Sequence, residues 1–317
     1  MRGITRRTLL GTPLLLPASA QTPQRMSPTP PPPIDRHAYM ADLRQFERVA
    51  IRLLPCPATK PLPLDASKIG GMILWPKAEP WPATRNWKHT PVLQIRKDDV
   101  PEVPFPAGMD LLQILWPPKF EALQKGYDRY NNHLVAATVK WRRLIPDALC
   151  LTDLPSGIDA DAGLTPAECV LQPQRVVEYP TSMDDVFGHD FDWDSLPVPA
   201  AHRQHNPNFR VFWDAHLSAA PGTKLMGWGQ WLQDGQFHPH CPQCNRKTRL
   251  LASIASLEFD DVGDLRWGAP YLSLPPSKQK GPLHDYAGLQ IAGSGVVYVH
   301  YCPTCPSRPT VSTMQFT

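Results

Sequence analysis

Residues 296–305 read VVYVHYCPTC, and residues 241–257 read CPQCNRKTRLLASIASL. The first is a β-branched and aromatic run that ends in a C-x-x-C knuckle. The second is a knuckle that leads into an apolar run. Such runs predict strands over 250–257 and 296–302. If these strands are neighbours in one sheet, both knuckles arrive at the same end of it and four sulfurs converge. Two residues between thiolates let the backbone curl so that both sulfurs face one ion about 2.3 Å away. Cys241, Cys244, Cys302 and Cys305 are therefore predicted to hold Zn2+. Four thiolates fill a tetrahedral shell, which makes the ion structural rather than catalytic. The separation of Cys244 from Cys302 exceeds an ordinary zinc-ribbon loop, so the fold itself must bring the second knuckle back. Two other readings stay open: disulfides in an oxidising compartment, and a redox pair, although the βαβ context of a thioredoxin is missing. A mixed site with His238 or His240 in place of one cysteine is a further variant. Cys56, Cys150 and Cys169 are isolated and read as packed.

Working outward, short apolar runs at 72–75, 92–95, 111–116, 170–179 and 209–213 alternate with Pro and Gly, and each predicts a strand. Helical spacing of Leu43, Phe46, Val49, Ala50, Leu53 and Leu54 predicts an amphipathic helix over 40–54, stopped by Pro55. A second helix is predicted over 119–130, and a long surface loop, acidic and then His/Pro-rich, over 181–207. Of 317 residues 39 are proline, about 12% against roughly 5% on average, which argues against a helical bundle. Hydrophobic residues make up 42%, enough for a core. The halves echo one another: Lys68-Ile69-Gly70-Gly71 matches Lys224-Leu225-Met226-Gly227, 92–95 matches 251–254, and 108–117 matches 295–303. The expected fold is α+β, mainly antiparallel β, with two pseudo-repeated sheet-containing halves, 40–165 and 166–317, few helices and long Pro-rich loops. Each half is expected to form a small sheet, and the two to pack through a shared apolar face with a ligand cleft between them.

Residues 1–20 combine Arg6-Arg7, a short apolar stretch and Ala18-Ser19-Ala20, the pattern of a cleaved twin-arginine export leader. Residues 21–39 then read as a proline-rich tether without a core. The expected location is periplasmic or secreted, or cytoplasmic if Met26 or Met40 is the true start. The formal charge is +3. Without Arg2, Arg6 and Arg7 the basic and acidic residues balance, which gives no electrostatic reason for a nucleic-acid partner. No apolar run is long enough for a transmembrane helix, so no stable membrane insertion is expected once the leader is cleaved.

The sequence has no G-x-x-x-x-G-K-[ST], H-E-x-x-H, G-x-S-x-G or G-x-G-x-x-G. Asp190, Asp192 and Asp194 alternate as in a calcium loop, but the positions of its glycine and closing glutamate hold Ser195 and Ala201. They read as a solvated acidic loop. An enzyme would have to draw on His189, His202, His205, His238 and His240 with that loop. The ten tryptophans read mainly as packing. Trp75, Trp228 and Trp231 could also line an aromatic groove for an extended peptide, with charge from Lys68 and Lys224.

Ser67–Gly71, Trp75-Pro76, Trp81-Pro82, 176–180, Ala220–Trp228, 231–233, the knuckle Cys241–Cys244 and the tail 295–306 together resemble the YwqG-like domain family, which is similar to the programmed cell death protein 2 domains. The resemblance covers roughly 40–317. It implies a duplicated, mostly β fold and a polypeptide partner, in a chaperone-like or interaction role without established catalytic residues. Some family members sit in toxin-immunity neighbourhoods, which implies toxin neutralisation or an envelope structural role as alternatives. Met72-Ile73-Leu74 and the leader depart from the family pattern.

Overall fold

The computed structural model describes residues 26–33, 35, 41–127, 133–181, 192, 195–204, 206–233, 239–259, 265–275 and 285–316. The leader, the calcium-like aspartates Asp190 and Asp194, and His189, His205 and His238 lie outside them. The strands are β1 (Arg48–Pro57), β2 (Lys68–Ile69), β3 (Ala83–Thr84), β4 (Trp87–Lys88), β5 (Thr90–Arg96), β6 (Leu111–Trp116), β7 (Gln124–Tyr127), β8 (His133–Val135), β9 (Thr138–Arg142), β10 (Cys169–Glu178), β11 (Lys224–Met226), β12 (Arg249–Ala255), β13 (Val296–Tyr301) and β14 (Thr310–Gln315). Among the described residues three α-helices accompany them: α1 (Phe120–Leu123), α2 (Phe209–His216) and α3 (Leu265–Leu272). No helix among the described residues is long and apolar enough to cross a membrane.

Twelve strands form one antiparallel sheet in the order β7-β8-β14-β13-β12-β11-β1-β10-β2-β5-β6-β9; β3 and β4 pair apart as a hairpin. The expected antiparallel, mainly β fold with few helices is present. The repeat is written into the sheet order. On either side of the central β1–β10 pair, β11 answers β2, β12 answers β5, β13 answers β6 and β14 answers β9. Ile69 faces Leu93 where Leu225 faces Ala252, and both β5–β6 and β12–β13 carry a bulge one residue before that point. The turns agree as well: Gly70 and Gly71 have φ of 67° and 70°, and Met226 and Gly227 have 61° and 74°.

The halves are not two separate sheets, however. β10, from the second half, lies between β1 and β2 of the first, so the halves are continuous through backbone hydrogen bonds. The shared apolar face does exist. Leu112 and Ile114 of β6 join Val297 and Val299 of β13 in one buried cluster, so the sheet curls until its arms share a core. Packed side chains fill the space expected to be a cleft.

Four local readings change. Residues 48–54 of the expected helix belong to the long central strand Arg48–Pro57, and only Ala41–Phe46 makes a short 3-10 segment. The sheet centre is covered on both faces, so Ala50–Leu54 is buried without alternation, Arg52 included, and a run of apolar residues so dense matches helical spacing by default. Pro55 is tolerated within the strand because β11 pairs only with Ala50–Arg52, leaving no ladder bond owed at position 55. Residues 209–213 belong to α2, whose buried Phe209, Phe212, Trp213 and His216 keep the helical period over a longer window. Asn208 caps it by accepting from the Val211 amide at 3.0 Å. The predicted second helix is the single turn α1 followed by β7. Residues 73–75 are buried and Met72 half-buried, but 72–75 form no strand. Gln94 Oε1 accepts from the Leu74 amide at 3.0 Å, and Gln113 Nε2 donates to the Leu74 carbonyl at 2.6 Å, so side-chain amides replace a ladder.

The proline-rich segment is not a free tether in its described part. Met26 is buried with Leu54, Trp267 and Tyr271, and residues 26–30 lie on the face of β1 and β10 beside α3.

Candidate metal centre

β12 and β13 are antiparallel neighbours, with Arg249 opposite Tyr301. The first knuckle precedes β12 and the second follows β13, so both fall at one end of the pair. The first is a hairpin. The Cys241 amide donates to the Arg246 carbonyl at 2.8 Å, the Thr248 amide to the Pro239 carbonyl at 3.0 Å, and Asn245 takes the left-handed turn at φ 58°. The second is the connection from β13 to β14, closed by the Cys302 amide on the Pro309 carbonyl at 2.9 Å.

The four sulfurs lie within 4.8 Å of one another. Cys241 and Cys305 approach to 3.9 Å, and Cys244 and Cys302 to 3.5 Å. Tetrahedral zinc with 2.3 Å bonds separates its sulfurs by about 3.8 Å, so the donor set fits such an ion. A disulfide needs about 2.05 Å, and all seven cysteines are free. His240 is outside the cluster; its backbone bridges to Lys247 in the hairpin. Cys241 and Cys302 are buried, Cys305 is half-buried and Cys244 exposed, so the centre sits at the sheet rim with one thiol toward solvent.

The electrostatics call for a cation. The amides of Gln243 and Cys244 point at Cys241 Sγ at 3.4 and 3.5 Å, and the Cys305 amide points at Cys302 Sγ at 3.4 Å. Burial pushes the Cys302 thiol up, but the amides of Cys305 and Thr304 and the neighbouring thiols outweigh it and bring the group down to about 6. Cys305 is pushed up to about 12, first by sharing its proton with Cys244, then by burial and the other two thiols. Four sulfurs this close cannot all ionise on their own; a bound cation removes the conflict. Arg308, whose guanidinium donates to the Pro303 carbonyl, adds positive charge beside the second knuckle.

Compared with models of known protein families and with curated protein sequences, the chain matches none.

The other half shows what the knuckles replace. There the hairpin β3–β4 closes with the His89 amide on the Pro82 carbonyl at 2.9 Å. That loop is two residues shorter than 239–248 and has no cysteine. Where the second knuckle follows β13, Pro117-Pro118-Lys119 follows β6.

The predicted peptide-binding residues do not form a groove. Lys68 and Lys224 are fully buried. Lys68 Nζ meets Glu168 at 3.1 Å, and Lys224 Nζ meets both oxygens of Glu178 at 2.9 Å. Lys224 neutralises the buried Glu178 and Lys68 the half-buried Glu168, and both carboxylates also touch the glycine turns, Glu168 at Gly71 and Glu178 at Gly227. Trp75 is fully buried against Ile73 and Leu115, under the Arg142 guanidinium at 4.1 Å. Trp231 packs on Tyr298 at 4.8 Å and lies parallel to His300 in a different cluster. These two rings are equivalent positions on opposite arms. Trp228 is covered by Arg48 at 3.3 Å and donates to the Phe46 carbonyl. Among the histidines proposed for catalysis, His202 packs on Phe212 and His216. A group that sequence reasoning passed over is Arg52, Gln172, Gln174 and Arg266, which hold residues 26–30. Its one sequence signal is the pair of amides two residues apart on β10, which share a face.

Proposed function

We propose that this chain is a non-enzymatic polypeptide-binding protein whose carboxyl-terminal sheet arm is locked by a structural zinc ion. Cys241, Cys244, Cys302 and Cys305 would hold the ion. Bound there, it supplies a cross-link between the loop before β12 and the turn after β13 and leaves no position open for a substrate. The observation that carries the metal is the convergence of four sulfurs within 4.8 Å. Polypeptide binding draws on the resemblance to the YwqG-like family and on the extended stretch of chain that the sheet holds through main-chain contacts. Export through the twin-arginine route suits such a protein, because that route carries domains already folded around their metal.

A peptide array probed with the zinc-loaded chain tests the reading. Saturable binding to extended segments is expected, with loss after chelation; an array that retains no protein refutes it.

A further inference from the structure

The face of β1 and β10 carries a site that the chain itself fills. Ala50, Arg52 and Leu54 of β1 lie opposite Val176, Gln174 and Gln172 of β10, so all six side chains point to one side of the sheet. Residues 26–30, Met-Ser-Pro-Thr-Pro, run along that face. Gln172 Oε1 accepts from the Met26 amide at 2.9 Å and Gln174 Oε1 from the Thr29 amide at 2.8 Å. Gln174 Nε2 donates to the Ser27 carbonyl at 2.8 Å, and Arg266 Nε to the Pro30 carbonyl at 2.9 Å. These contacts read main chain and would serve any extended peptide with a free N–H at the first and fourth positions.

Two contacts read side chains. Met26 fills a pocket with Leu54, Trp267, Tyr271 and Tyr286 and is 4% exposed, while Ser27 and Pro28 face solvent. Thr29 Oγ1 donates to Gln174 Oε1 at 2.6 Å and accepts from Arg52 Nη1 at 3.0 Å. Arg52 is fully buried and Arg266 is 5% exposed. A buried guanidinium keeps its acceptors or incurs a large desolvation penalty, so the face requires an oxygen where Thr29 and Pro30 place theirs. Gln172 is set for its task as well: its amide nitrogen donates to Cys56 Sγ at 3.1 Å, which turns the oxygen toward Met26.

We propose that this face is a binding site for an extended polypeptide with a long apolar side chain at its first position and a serine or threonine at its fourth. Residues 26–30 are its occupant in cis, and a partner segment of that pattern takes their place. The proposal rests on the polypeptide-binding reading and gives it an address and a means of control, because the covalently attached segment competes with every partner.

The test uses the full chain with Met26→Ser and Thr29→Val, which removes the apolar anchor and the hydroxyl, and a fluorescent peptide of residues 26–33. The peptide is expected to bind the double variant at least ten-fold more tightly than the unaltered chain. Adding Gln174→Ala should abolish that gain, and so should the same two changes made in the peptide. Equal binding to both proteins, or binding to neither, overturns the proposal. If the double variant does not fold, a specific protease site placed after Asp35 and cut after folding gives the same information: the released segment should exchange with labelled peptide, and a segment that never exchanges, or peptide that never enters, counts against the site. An array that binds peptides without regard to the Met and Ser/Thr positions sinks this proposal and leaves the general reading standing; an array blank on both proteins sinks both.

Discussion

Replacing Cys302 by serine should loosen one arm of the sheet and leave the other intact. Cys302 is buried at the end of β13, and its sulfur lies 3.5 Å from that of Cys244. A serine hydroxyl is shorter, harder and protonated at neutral pH, so it is a poor zinc ligand. The remaining link between the knuckles is slight: Ser307 Oγ reaches Gln243 Oε1 at 3.5 Å. Metal binding counts as folding free energy when the unfolded chain has no preformed site. At a free zinc concentration 1,000 times the dissociation constant the ion adds about 4 kcal/mol. With an unfolding entropy of about 2.1 cal/mol/K per residue, a chain of 317 residues moves its Tm by roughly 1.5 °C per kcal/mol, so the expected loss is roughly 6 °C.

The assay is metal analysis of protein purified without added zinc, followed by thermal melts and hydrogen exchange with and without chelator. About one zinc per chain is expected. Chelated wild type and Cys302→Ser should melt alike and lower, with exchange rising first in β12, β13 and β14 (Arg249–Ala255, Val296–Tyr301 and Thr310–Gln315). The other arm is an internal control. β5, β6 and β9 repeat the same pairings with Pro117-Pro118-Lys119 where the second knuckle would be, so their exchange should hardly change. Metal-free protein that melts at the wild-type temperature with wild-type exchange in both arms would refute the structural role of the ion.

Glu178→Gln should cost about 3–5 kcal/mol in a urea melt, because it leaves the fully buried Lys224 ammonium without its counter-charge; the paired change with Lys224→Met should cost much less than the sum, and additivity would count against the pair. Burial pushes the Glu258 carboxyl up to about 7, against the opposing pull of the Thr223 bonds and Arg52. A raised folded value makes this carboxyl's contribution fully present below its unfolded value near 4.5 and lost as pH rises toward 7, with an upper bound of about 3 kcal/mol. Relative to wild type, Glu258→Gln should therefore gain stability between pH 4.5 and pH 7.5, and a constant difference across that window would refute the assignment. His89 works in the opposite sense. Burial holds it down at about 4, so its contribution is lost as pH falls from 6.5 toward 4, and His89→Gln should flatten that acid limb; an unchanged limb would show that His89 stays neutral for no energetic reason. Asn208→Ala removes the cap of α2 and should cost about 1 kcal/mol by thermal melt.

The four-cysteine cluster was legible because its information is local. A knuckle needs two residues between thiols, and a strand ending at one knuckle beside a strand beginning at the other suffices to bring them together; β12 and β13 do that. The repeat was legible for a similar reason, since Lys68 and Lys224 open matching turns and matching strands follow. Position in the sheet was not legible. β1 lies at the centre of the sheet between β10 and β11, and its residues from Ala50 to Pro55 are buried without alternation, so a run broken only by Arg52 carried no period that could separate strand from helix. The lysines were misread for a related reason. Nothing beside Lys68 or Lys224 in the chain shows that Glu168 and Glu178 arrive from about fifty to a hundred residues away to neutralise them, and a lysine without a visible partner reads as exposed. Residues 26–30 were hidden by composition, because a polar, proline-rich stretch has no core of its own. Its order comes from Arg52, Gln172 and Gln174, polar groups that the sheet places on a face where a strand sequence would ordinarily put apolar ones, and from Arg266 of α3. Buried polar residues that interrupt an apolar pattern are therefore the better guide to binding in this fold than Trp75 and Trp231, which pack within their own arms.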